Sequence, residues 1–217
     1  MQSTEDGGAF MKIIKKKVLE CIDGDNISVL KLCNLCEAIY PIYSNVFGKG
    51  FISNYLMKDL QTSSEKVLKA IEKVPEETKY VSMLYEYNIK KYESIEKLKK
   101  DLSNGIVSFL WMKRSIEFIV TFLEKCYITN YSSDVKSCAT EAYNEVLKKY
   151  HGCITSKFVK LVLNLTPSRE KLTKGLGLSS EEEAKRVIAQ CIFVAKPMIN
   201  DISKTIELHN CNFPDKI

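Results

Sequence analysis

The sequence predicts an all-α protein, on three observations. Apolar residues recur at the three-to-four spacing of a helix along most of the chain, while runs alternating apolar and polar residues are scarce. Nine glycines and five prolines are few breaks for 217 residues. Hydrophobic residues make up 45% and charged residues 27%, a balance that supports a buried core and excludes a disordered chain. This length suits one domain, expected over residues 12–217 behind a flexible leader at residues 1–11.

The periodicity places a first helix near 12–22 and a second over about 27–40, opened by an Asp25/Asn26 cap and closed around Pro41, with YSNVFGKG as a connection. A long helix follows over 51–73 and stops before Pro75. The next is expected to start at Pro75-Glu76-Glu77, because proline suits a first helical turn, and to reach about 91. Another helix covers about 101–126. After the polar loop TNYSSD, Ser133 or Asp134 caps a helix expected to run unbroken through EAYNEVLKKYHGCITSKFVKLVL. Such a helix tolerates Gly152 at a cost of about 1 kcal/mol. Thr166 is the next cap, with Pro167 at the first helical position. Ser179 followed at the third position by Glu182 reads as a capping box that opens a last helix reaching about 208.

Several function classes drop out. No apolar segment approaches the roughly 20 residues that span a bilayer, and the N-terminus lacks the apolar region of a secretory signal, so a cytoplasmic protein is expected. The eight cysteines are then expected to be reduced and mostly buried. Cys33 and Cys36 form a CxxC, but with no second pair and no nearby histidine they read as neighbours on a helical face and not as a metal site. The sequons at Asn26, Asn130 and Asn164 have no role in that compartment. The net charge of +5 is dispersed among many Lys and Glu, which argues against nucleic acid as a partner and leaves an affinity for anionic membranes open. There is no GxSxG, HExxH, P-loop or GxGxxG, so no catalytic residues are assigned and no cofactor is implied.

Some polar residues fit a core poorly. Asp59, Ser63 and Lys66 stand at i, i+4 and i+7, on one helical face opposite Leu60, Val67 and Ile71; the plain reading is a solvated stripe. Trp111, the one tryptophan, sits in LWMKR on a face away from the stripe Lys113, Glu117, Thr121 and Glu124. It is either core or a flat surface held beside polar groups. His151 follows KKY and precedes Gly152, as a surface or core imidazole or as a neutral donor into a site.

Three segments, KDLQTSSEKV (58–67), SFLWMKRSIEFI (108–119) and AYNEVLKKYHG (142–152), resemble in this order the polar-site segments of the glycolipid transfer protein family. CEAIYPIYSNVFG and LTPSREKL add weaker similarity, so that the resemblance extends from about residue 25 to the C-terminus. It implies a two-layer sandwich of about eight helices with an apolar tunnel between the layers for ceramide chains. It also implies energy-independent transfer of glycosphingolipids between membranes, by a monomer that touches the membrane surface transiently. By the same resemblance Asp59 binds sugar hydroxyls and the ceramide amide N–H, Lys66 donates to the sugar, Trp111 stacks on the first sugar and His151 bonds the amide carbonyl. A tail of about 15 methylenes represents roughly 12 kcal/mol of burial, against about 0.5–1.5 for each net headgroup hydrogen bond, so tails drive encapsulation and the headgroup selects.

Three positions depart from the pattern. Ser63 stands where glycolipid-binding members usually have Asn, which shortens or removes one bond to the sugar. Cys153 replaces the tryptophan that usually follows HG and helps docking. The tail NCNFPDKI lacks the family's tyrosine-bearing end, leaving Phe213 and Ile217 to cover the tunnel. Members that carry ceramide-1-phosphate resemble a pattern with Lys at the place of Ser63 and Arg at the places of Trp111 and Ser115, a cationic clamp suited to phosphate. Ser, Trp and Ser at those places favour a glycolipid. The alternative reading is a lipid sensor or adaptor that binds sphingolipid, ceramide-1-phosphate included, and signals through a protein partner.

Overall fold

The computed structural model describes residues 8–214. Ten α-helices account for most of them: α1 (Ala9–Cys21), α2 (Val29–Phe47), α3 (Phe51–Ile71), α4 (Val81–Lys91), α5 (Ile95–Lys100), α6 (Ile106–Glu124), α7 (Val135–Val146), α8 (Cys153–Leu163), α9 (Arg169–Gly175) and α10 (Glu181–Leu208). A two-residue antiparallel ladder, β1 (Ile22–Asp23) with β2 (Asn26–Ile27), links α1 to α2. The helices stack in two layers: α2 lies on α1 and α3, and α6 packs against α3, α7 and α10. Of the expected leader, residues 1–7 lie outside the described residues; Ala9 begins α1, and Met11 is buried.

The all-α class holds, and the departures from the expected boundaries have physical causes. The second helix opens at Val29, two residues later than expected, because Asn26 pairs with Asp23; Ser28 is the cap, its hydroxyl accepting from the Lys31 amide at 3.4 Å. Pro41 does not close this helix. It lies inside α2, which runs on to Phe47 and leaves only Gly48, Lys49 and Gly50 as the connection. An internal proline costs about 3 kcal/mol; the added turn is compensated by the burial of Val46.

The helix expected from Pro75 starts only at Val81. Tyr80 is held extended, because the Val29 amide donates to the neighbouring Lys79 carbonyl at 3.1 Å and Ser28 bridges Tyr80. The segment expected as one helix over 101–126 divides into a 3-10 turn at Leu102–Asn104, α6 and a π turn at Lys125–Thr129. Gly105 marks the division. Its φ is +80°, and a Cβ there would lie 2.8 Å from that of Ala70, so glycine lets α6 approach α3 closely.

The unbroken helix expected through residue 151 is in fact two. α7 ends at Val146, a 3-10 turn spans Lys148–Tyr150, and α8 starts at Cys153. His151 between them is extended, with φ −97° and ψ 131°. Ser168, not Thr166, caps α9, accepting from the Lys171 amide at 3.3 Å. The last box is displaced by one residue: Ser180 accepts from the Glu183 amide at 3.1 Å, and the Glu183 carboxylate returns to the Ser179 amide at 2.8 Å. α10 ends at Leu208 as expected. No helix among the described residues is long and apolar enough to cross a membrane.

The core has two main clusters. One joins α1, α2, α3, α4, α6 and the C-terminal half of α10, and contains Leu32, Leu60, Phe109, Met112 and Met198. The other joins the ends of α6, α7, α9 and α10 around Leu123, Tyr127 and Ile188. Seven of the eight cysteines are buried in the structure, Cys33 with its sulfur 4.0 Å from that of Met112; Cys153 is exposed. Burial pushes the Cys33 thiol up to about 12, so it stays protonated and packs as a small apolar group.

Candidate functional site

Between the layers lies a cavity of about 230 Å³ bounded by α2, α3, α6, α7, α8 and α9. Its walls are mainly aliphatic and aromatic, with Phe118 and Phe122 stacked at 6.3 Å along one side. Asp59, Trp111 and His151, from three separate stretches of chain, line this one cavity. Ser63 and Lys66 do not: Ser63 is half-buried one turn further along α3, and Lys66 is exposed. Ser115, four residues after Trp111, is on the lining.

Each placement has a local cause. Asp59 is exposed at the mouth beside the buried Leu60, which holds α3 against the core. The protein around its carboxyl still raises its pKa by desolvation. The Tyr43 phenol, on the same lining, is pushed up first by burial, then by Cys36 and by Asp59.

Trp111 is half-buried on α6. His151 stacks near its ring, with centroids 5.7 Å apart and planes at 21°, and Tyr150 meets it edge-on at 6.3 Å. The broken α7–α8 junction permits this, since an extended His151 turns its imidazole to the cavity. Burial, and then the Arg114 charge, pull the His151 pKa below its ordinary value, so the ring is neutral at pH 7. Its Nδ1 is buried without a hydrogen-bond partner among the described residues. A polar ligand group is what such an atom lacks.

Sequence reasoning passed over Arg114, the last residue of LWMKR. It is 2% exposed. Its Nη2 donates to Asn212 Oδ1 at 3.0 Å and to the Phe213 carbonyl at 2.7 Å, and its guanidinium lies 3.3 Å from the Tyr150 ring centroid and 4.9 Å from that of Trp111. It ties the C-terminal segment to the platform behind the cavity. Tyr55 and Phe158, also on the lining, were not singled out either; their rings meet at 4.4 Å and join α3 to α8. A charged residue beside the lone tryptophan was the available signal for Arg114. Nothing in the local sequence marks Tyr55 or Phe158.

Helices enclosing an apolar cavity, with a carboxylate, an indole and a neutral imidazole on its lining, define a lipid carrier. The chain belongs to the glycolipid transfer protein family, whose description "Glycolipid transfer protein (GLTP)" matches residues 27–178. The family comprises lipid transfer proteins and not enzymes, and its members carry glycolipids or ceramide-1-phosphate. Glycolipid transfer protein B of Xenopus laevis is 24% identical over 185 residues, 81% of this chain and 82% of that protein. Glycolipid transfer protein 1 of Arabidopsis thaliana is 26% identical over 137 residues, 63% of each chain. Among solved structures, mouse ceramide-1-phosphate transfer protein superposes with a TM-score of 0.82 at 15% identity, covering 94% of this chain and 98% of that one. The FAPP2 structure, described as selecting simple glycosphingolipids with this fold, gives 0.78 at 16% identity, covering 99% and 98%.

Proposed function

We propose that the protein binds glycosphingolipids and transfers them between membranes. The ceramide chains occupy the apolar cavity, and Asp59, Trp111 and His151 receive the headgroup and amide, with Ser63 and Lys66 reaching the outer sugar from α3. One observation supports glycolipid over ceramide-1-phosphate: among the described residues that line the cavity there is no Lys or Arg, and Asp59 is its one acidic side chain. A phosphate dianion would meet that carboxylate without a cationic clamp, whereas sugar hydroxyls donate to it. Arg114 is held behind Trp111 by the C-terminal segment and does not line the cavity.

Membrane contact is part of this reading. Phe51 (74% exposed) begins α3 and Ile154 (86% exposed) is the second residue of α8, each one turn before Tyr55 and Phe158 at the rim. Exposed Lys49, Lys58, Lys157 and Lys160 lie within a few residues of them along the same two segments. Apolar tips within a basic rim suit an anionic bilayer, and they stand in for the tryptophan that Cys153 replaces. Phe51→Ser is expected to lower sedimentation with anionic vesicles several-fold while leaving the circular dichroism spectrum unchanged; undiminished sedimentation would reject this rim.

The deciding experiment is vesicle-to-vesicle transfer of galactosylceramide and of ceramide-1-phosphate by the same preparation. Faster transfer of galactosylceramide is expected, and the opposite order would reverse the assignment. Binding without transfer would favour the sensor or adaptor. His151→Leu removes one hydrogen bond to the amide and is expected to weaken galactosylceramide binding about tenfold, as measured by tryptophan quenching. Wild-type affinity in this variant would remove His151 from the site.

A further inference from the structure

Behind the main cavity lies a second, of about 40 Å³, between α1, α2, α6 and α10. The two have Ile42 of α2 and Ile119 and Leu123 of α6 in common on their linings. Ile42 and Ile119 also pack against both main core clusters, so this wall is where the two halves of the interior meet. The space behind is lined by hydrophobic side chains throughout, among them Met11, Ile14 and Met198.

Capacity gives the wall its meaning. A cavity of about 150 Å³ takes up benzene, so the main cavity as it stands holds hydrocarbon of roughly ten carbons. A longer chain has to displace side chains, and it does so most readily where empty apolar space already exists on the far side. There a displaced isoleucine recovers contacts in place of a void, and the flexible thioethers of Met11 and Met198 adjust to the chain end.

We infer that Ile42, Ile119 and Leu123 form a yielding partition that sets acyl-chain preference: short chains end before it, and longer ones pass it into the space behind. This rests on the function proposed above. Ile119 is the residue to alter, since it lines both cavities, packs against both core clusters and is only partly buried.

The test measures transfer of a short-chain and a very-long-chain galactosylceramide by the wild type, Ile119→Ala and Ile119→Phe. Since each further buried methylene is worth about fourfold in affinity, the ratio of very-long-chain to short-chain transfer should rise about tenfold in the alanine variant and fall comparably in the phenylalanine variant. Should Ile119→Ala be too unstable to purify, Leu123→Val at the same wall carries the same expectation. An unchanged ratio in every variant that transfers lipid, or equal loss of both lipids, overturns the partition and leaves glycolipid transfer standing. Absence of transfer by the wild type overturns the proposed function itself, and the partition with it.

Discussion

Asp59→Asn is expected to lower galactosylceramide transfer about a hundredfold, because hydrogen bonds to a charged acceptor are worth about 1.5–3 kcal/mol and a carboxylate can hold more than one hydroxyl. The same substitution is expected to stabilise the lipid-free protein near pH 7. The folded surroundings raise the Asp59 pKa by desolvation, so the folded state favours its protonated form. For a raised pKa the stabilising contribution is complete below the unfolded value, near pH 4, and is lost as pH rises through the folded value. At neutral pH the ionised carboxylate is therefore a cost that asparagine removes, and the advantage of the variant should vanish below about pH 4. Thermal melts across pH, set beside transfer rates, check both halves. Wild-type transfer would reject Asp59 as the headgroup acceptor, and a variant less stable at pH 7 would reject the account of its surroundings.

Arg114→Ala is expected to cost about 3 kcal/mol of stability, through loss of charge-assisted bonds to Asn212 and Phe213 and of stacking on Tyr150 and Trp111. For a chain of this size that corresponds to a fall of about 10 °C in melting temperature. Truncation also leaves the Phe213 carbonyl without this donor and opens space beside Trp111. A melting temperature within about 2 °C of wild type would show that the C-terminal segment holds its place without this clamp.

The residues that respond most strongly here were unequally visible in the chain. Asp59 and Trp111 stood out as a carboxylate at helical spacing from Ser63 and Lys66 and as the one tryptophan on an apolar face. His151 was named, yet its backbone was expected to be helical. Arg114 was passed over in the sequence and is among the most buried charges in the structure. Its burial depends on Asn212 and Phe213, about a hundred residues away in sequence, and no local pattern reports a partner at that distance.

By itself, the sequence determined the helical class, the main apolar faces, the ends of α3 and α10, and the dispersed segments that resemble one family. These follow from periodicity and short-range capping, which neighbouring residues set among themselves. Only the tertiary structure decided that α2 continues through Pro41, that residues 72–80 stay non-helical, and that α7 and α8 part at His151. It alone left Ser63 and Lys66 off the cavity lining while bringing Asp59, Trp111 and His151 onto it. The physical reason is that packing and long-range pairing outweigh intrinsic propensity, which differs by less than about 1 kcal/mol among ordinary residues. A hydrogen bond between Val29 and Lys79, or a guanidinium closed over by a distant tail, exists only once the chain has folded.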